Sequence, residues 1–588
     1  MKKVPLLRIL TTLSALTISS CASKTYSSFQ EDSSFKNDSS SSSLISEVSS
    51  NEERSSSEVT SSSTISSSSY GISSSKEVSS SSTSSSVISS SNNEVSSSVI
   101  SSSNGISSSI LSSSSYVSSS ELISSSSSSF QSSSSSSSSS YSSSASSNSS
   151  SSSLNPLDNY VPIENFSKRM PGEFEPCQMV KMCYPNNMPL SAYKEIAKDN
   201  KVLLLVNPAY DGSSRIGQAQ NALNNAGVNM NNITFLDMPI DDDYAYWVRD
   251  FSPFYVFKEK QLSIVDFTYN RPRYEQNAVP KKLSEYFDIP YSKMTITHTG
   301  GNLMQDGRGT AFSDDLVIKE NSSKLTVTRQ MLNHTGTTNY VITKDPQGDY
   351  IAHIDCWGKI VAPDKIIVAK LPTTNPRYQE YEDVAELLGN TKCAYGYNYR
   401  IYRIEEPGGN VVAPYTNSLI ANNHVYMPLG SDEIYNQKAL EVYRNALPGY
   451  EIVGIEGFPS SNQNAFLNTD ALHCRTHEIP DQNMLFIDSR EVYNGEVELK
   501  EHYVIKTNVV SYANQEIENV NIHYSINNGS YVTTPMNKYL ETNNYTYVFK
   551  GLKSGDDVKY YIDGNDTNDN YNIDPTCGEG DPHHFVVI

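Results

Sequence analysis

From about residue 25 to residue 153 the chain is overwhelmingly serine, with scattered Glu, Asn and Val. Such a tract has too little apolar surface to offset the conformational entropy lost on ordering. It limits the possible fold more than any other feature, because a packed core must then be built from the chain after Leu154. Residues 22–153 are expected to be a flexible tether or wall-spanning stalk, or a spacer with no further role.

The N-terminus fits that picture. Met1-Lys2-Lys3-Val4-Pro5-Leu6-Leu7-Arg8 is a charged start, followed by an apolar run to Ile18 that is too short to span a bilayer as a helix. Ile18-Ser19-Ser20-Cys21 has the outline of a bacterial lipobox, with Ser20 where Gly or Ala is usual. Residues 1–21 therefore read as an export signal. The expected location is extracellular or cell-surface, by lipidation of Cys21 or by simple secretion.

The net charge of −21, with no basic run, argues against nucleic-acid partners. An acidic surface suits basic peptides or plain solubility. Of the seven Cys, Cys177 and Cys183 are near enough in sequence for a local disulfide, which export would permit. The absence of a CxxC pair disfavours a thiolate zinc or iron–sulfur site, and no cofactor is expected.

After Leu154 the first clear elements are a strand at Lys201–Val206, a helix at Ser214–Asn225 and a strand at Asn232–Leu236. A weak repeat follows. Gly300-Gly301-Asn302 and the text to Val317 are echoed from Gly408 to Ile420, with similar strand–turn–strand text at Trp247–Phe257, Ile354–Ala369 and Asn468–Ile479. Five such units suggest radial repetition around a central site, with a plain β-rich core as the alternative. The paired glycines imply tight turns or close backbone approach. Short alternating strands near Tyr503, Ile522, Tyr545 and Val558 suggest a small β-sandwich. The expected domains are a catalytic one over 154–495 and a sandwich over 496–588.

The chemistry concentrates in three places: Trp247-Val248-Arg249-Asp250, His353-Ile354-Asp355-Cys356-Trp357-Gly358, and the polar run around Cys474. On an extended strand, His353 and Asp355 would face one pocket and Cys356 the other side. One imidazole, two carboxylates and one thiol suit attack on a planar guanidinium. Asp250 and Asp355 would hold the cation by paired hydrogen bonds. Cys474 would attack its carbon, and His353 would protonate departing ammonia and then activate water. The alternatives are an Arg249–Asp250 ion pair or turn cap, a structural hydrogen bond at Asp355, a buried apolar role for Cys474, and Cys356 as the reactive thiol.

These residues carry a resemblance to bacterial peptidylarginine deiminases of the Porphyromonas type, within the agmatine-deiminase-like guanidino-group-modifying superfamily. It extends from about Gln178 to the C-terminus. It rests on the Asp250 motif, Gly300-Gly301-Asn302 with Asp306-Gly307, His353 to Lys359, Thr416-Asn417-Ser418, and Asn468 to Pro480. The resemblance implies an α/β fold, a five-bladed pseudo-symmetric propeller followed by an immunoglobulin-like β-sandwich. It also implies Cys474 as nucleophile, His353 as general acid/base, Asp250 and Asp355 as guanidinium clamps, and Asn417 as support beside the thiol. Trp247 would pack on the substrate stem, Arg271 and Arg273 would meet a terminal carboxylate, and Tyr350 would contact peptide backbone. No calcium is implied, although Asp241–Asp243 and Asp314–Asp315 are acidic pairs where a structural cation can be sought. The favoured partner is a peptide or protein with an accessible, C-terminal arginine. The rivals are an agmatine or small-guanidine deiminase and a non-enzymatic surface binding protein. The serine tract and lipobox depart from the family pattern and place any surface attachment at the N-terminus.

Overall fold

A computed structural model describes residues 155–588, except 158–159, 186–187, 210, 239–245, 349, 409–412, 458–465 and 467–470. The export segment with Cys21, the serine tract, and Asp241 and Asp243 lie outside the described residues.

The strand Val202–Val206, every residue of it buried, forms as an apolar run of this length should, and the helix Ile216–Asn225 and strand Ile233–Asp237 follow. The strand Cys177–Tyr184 and helix Leu190–Asp199 precede them in a stretch whose sequence shows no clear period. The three strands lie side by side and parallel, and His477–Pro480 joins Cys177–Tyr184 from the far end of the chain, antiparallel.

Four more small sheets repeat this plan. In each, an antiparallel pair is followed by a helix and then by a strand parallel to the second of the pair. The pairs are Phe254–Lys258 with Gln261–Tyr269, Met304–Gln305 with Thr310–Asp314, Gly358–Ala362 with Lys365–Lys370, and Leu419–Ala421 with His424–Pro428. The parallel strands are Tyr291–His298, Asn339–Thr343, Arg400–Glu405 and Glu451–Ile455. Crossover helices are what parallel neighbours require.

The expected closed propeller is corrected. The described strands form separate small mixed sheets with seven α-helices, and no ladder joins one sheet to the next. No closed propeller, barrel or sandwich is seen among the described residues. A hairpin-length repeat in sequence specifies a local sheet and its crossover, and nothing in it specifies closure. The expected immunoglobulin-like sandwich is corrected with it. The C-terminal strands form a four-stranded and a six-stranded sheet. The first recruits Leu485–Asp488, from before residue 496, and the second pairs Gly495–Val497 parallel to His583–Val587.

The Cys177–Cys183 disulfide is also corrected, since both cysteines are buried and are not joined to each other. They lie six residues apart on one strand, which separates them by about 20 Å at the usual rise, far beyond a disulfide's reach. Cys183 instead contacts Asn207 Oδ1 at 3.4 Å. Among the described residues no helix is long and apolar enough to cross a membrane.

Candidate active site

The segment just before the first strand of each pair carries chemistry. Asp250 precedes Phe254–Lys258, Gly301 precedes Met304–Gln305, His353 and Asp355 precede Gly358–Ala362, Asn417 precedes Leu419–Ala421, and Cys474 precedes His477–Pro480. These are turns and short 3₁₀ segments, where backbone geometry can aim a side chain that a regular strand could not.

His353 and Asp355 do not lie on a strand as expected. His353 caps the 3₁₀ turn Ile354–Cys356, whose backbone closes through Cys356 N–H to the His353 carbonyl at 3.1 Å. Ala352, just before it, sits at φ +47°, a left-handed conformation that costs a non-glycine residue about 1–3 kcal/mol. The turn still delivers both side chains to one place. His353 Nδ1 lies 3.7 Å from Asp250 Oδ1 and 4.0 Å from Asp355 Oδ1. The ligand atoms of Asp250, His353 and Cys474 all fall within 4.8 Å of one another, a set that can also take up a thiophilic cation.

Cys474 lies on the 3₁₀ turn His473–Arg475 and is 1% exposed. Asn417 Nδ2 donates to its sulfur at 3.3 Å, while Asn417 Oδ1 accepts from the backbone N–H of His473 and of Cys474. The Cys474 thiol faces Asp355 Oδ2 at 3.4 Å. Cys356, the rival thiol, packs in an apolar cluster with Trp357 and Ile360 and lies 3.7 Å from the other Asp355 oxygen.

The glycine pair has a direct explanation. A Cβ on Gly300 would lie 2.0 Å from the Arg249 carbonyl oxygen. A Cβ on Gly301 would lie 2.5 Å from His353 Nδ1 and 2.8 Å from Asp250 Oδ1. The backbone therefore forms one wall of the site, pressed against the groups that would act on the substrate.

Sequence reasoning missed the layer behind. His473 bonds Asp355 Oδ2 through Nδ1 at 2.7 Å and Glu173 Oε2 through Nε2 at 2.9 Å. Glu173 also takes Lys359 Nζ at 2.6 Å, and Arg249 pairs with Glu478 at 2.7 Å, with Glu173 4.0 Å away. Burial, with Arg249 and Lys359 nearby, pushes the His473 imidazole down to about 3. Burial likewise lowers Lys359. The only sequence signal for this layer was polar residues inside otherwise apolar text.

The remaining expected residues are Trp247, Arg271, Arg273 and Tyr350. Trp247 is half-buried, with the Arg475 guanidinium 4.7 Å above its ring. Arg271 and Arg273 are half-buried on the loop after Gln261–Tyr269, and Arg273 Nη1 lies 3.3 Å from Tyr269 Oη. The Tyr269 phenol is raised by burial first and then by Asp250, and also senses Arg273, Arg271 and Cys474, so this loop lies in the field of the site. Tyr350 is 85% exposed. Asp314 is buried and bonded to Asn302 Nδ2 at 2.9 Å, and burial pushes its carboxyl up to about 8.

Residues 169–480, just over half of the chain, match the profile of the Porphyromonas-type peptidyl-arginine deiminases. The chain belongs to that family. It is a deiminase that hydrolyses guanidino groups. A Legionella pneumophila protein named provisionally as an agmatine deiminase is 26% identical over 313 residues, 50% of this chain and 85% of its own length. The agmatine deiminase of Medicago truncatula is 22% identical over 288 residues, 40% of this chain and 75% of its own. The solved agmatine deiminase of Enterococcus faecalis superposes with a TM-score of 0.45 at 20% identity, covering 54% of this chain and 96% of that one.

Proposed function

We propose that this member deiminates a small guanidino compound, agmatine, to the corresponding ureido amine, N-carbamoylputrescine. The reading is carried by the curated relatives, which bear the agmatine deiminase name and align over 85% and 75% of their own length with this chain. Asp250 and Asp355 bracket the guanidinium by hydrogen bonds. The Cys474 thiolate adds to the guanidino carbon. The C–N bond to one terminal nitrogen breaks, and that nitrogen leaves as ammonia with a proton from His353. Water, deprotonated by His353, then adds to the thiouronium carbon. The C–S bond breaks and returns the thiol. The net change is guanidinium plus water to urea plus ammonium.

A second reading, peptidylarginine with a free terminal carboxylate, is favoured by Arg271 and Arg273. Two cations near the site match a carboxylate and oppose the ammonium end of agmatine. The test measures ammonia and ureido product from four substrates: agmatine, a peptide ending in arginine, its amide, and a peptide with internal arginine. Turnover chiefly of agmatine supports the first reading. Turnover chiefly of the free C-terminal arginine supports the second, and then Arg271→Ala or Arg273→Ala raises KM by about tenfold or more on that peptide and little on its amide. Equal effects on both peptides would remove the carboxylate role.

A further inference from the structure

Thr299 is 1% exposed, and its hydroxyl has no hydrogen-bond partner among the described residues. It stands at the cap position of the 3₁₀ turn Gly300–Asn302, yet its side chain makes no cap bond. A buried hydroxyl left unpaired costs about 1–3 kcal/mol, so the position calls for a polar ligand. The backbone at Thr299 is extended, with φ −147° and ψ 141°, so adjacent side chains point opposite ways. The preceding His298 ring packs with Phe254 and Phe267 and bonds Tyr340 Oη at 3.1 Å. Thr299 therefore turns away from that core. Two residues on, the Gly301 backbone is pressed against His353 and Asp250.

We propose that the Thr299 hydroxyl holds the water that hydrolyses the thiouronium intermediate, an inference that rests on the deimination chemistry above but on neither choice of substrate. The water donates one hydrogen to Thr299 Oγ1 and gives the other proton to His353 as its oxygen bonds to the thiouronium carbon. The C–S bond then breaks, the proton left on the added oxygen passes to the departing sulfur, and the ureido carbonyl and the thiol are formed. Ammonia release precedes this step and does not need the hydroxyl.

The test uses the full chain and whichever of agmatine or the arginine peptide it turns over best. In Thr299→Val, which keeps shape and removes the hydroxyl, kcat falls about 10- to 100-fold while a burst of one ammonia per enzyme is retained. Intact-protein mass spectrometry then finds an adduct on Cys474 equal to substrate minus ammonia. Thr299→Ser restores turnover to within about threefold of the parent. If Thr299→Val does not fold, Thr299→Ala is read in the same way. Unchanged kcat, or a loss with neither burst nor adduct, overturns the role of Thr299. A parent enzyme inactive on every guanidino substrate overturns the deimination reading instead, and the two failures are separable.

Discussion

The candidate active site and the C-terminal sheets are built on opposite terms. The C-terminal sheets are built of regular strands, of which Asp557–Asp566 alternates half-buried and buried residues from end to end, and they carry an apolar cluster that includes Ile522, Val558, Ile562 and Phe585. The centre draws Glu173, Asp250, His353, Asp355, Asn417 and Cys474 from turns and short segments scattered over 300 residues of chain, and holds them mainly by polar contacts. The first arrangement gains from area removed from water. The second spends stability on buried charge that must be fully partnered. Removing atoms from the first should therefore loosen the protein, whereas small changes in the second should silence it.

The sharpest break in this contrast is at the thiol. Cys474→Ala is expected to lower turnover by about 10⁴-fold or more with the fold intact by circular dichroism, while Cys356→Ala stays within about tenfold of the parent. The reverse order would move the nucleophile to Cys356. Next comes a matched pair. Ile562→Ala should cost about 2–5 kcal/mol in denaturant unfolding and leave kcat/KM unchanged where the protein remains folded. Gly301→Ala should cost about 10²-fold in kcat/KM, because its new Cβ displaces His353 and Asp250, with a smaller change in stability. If both variants lost activity in proportion to stability, the division would fail. The smallest effect concerns Asp314. Its folded value of about 8 lies above the ordinary 3.8, so the neutral form is favoured on folding. That contribution is fully present below the ordinary value and is lost as pH rises through about 8. Between about pH 6 and about pH 9 the melting temperature of Asp314→Asn should fall less than that of the parent; parallel curves would show that Asp314 is ionised in the native state.

Legibility followed the same division. Period-two text disclosed the C-terminal strands, and an apolar run disclosed Val202–Val206, because burial pattern and local structure coincide there. It did not disclose how the sheets assemble, since pairing across distant segments leaves no local mark. In the centre, residue type and order pointed to Asp250, His353, Asp355, Asn417 and Cys474, which the structure brings together. The strand assumed for His353 and Asp355 was a 3₁₀ turn entered from Ala352 at positive φ, a backbone conformation that period-two reasoning does not foresee. Glu173 and His473 were invisible. One is 300 residues from its partner, and neither type announces a buried ionic role.

The pairing of Cys177–Tyr184 with His477–Pro480 bears on how the enzyme is made. A ribosome that has released the chain as far as Pro428 has delivered Glu173, Asp250, His353, Asp355 and Asn417, but no thiol to seat among them. The strand that seats Cys474 docks on one of the first strands translated. On the proposed chemistry, guanidine hydrolysis is withheld until Cys474 has been made, and a stalled or prematurely terminated product has five of the six centre residues and lacks the sixth.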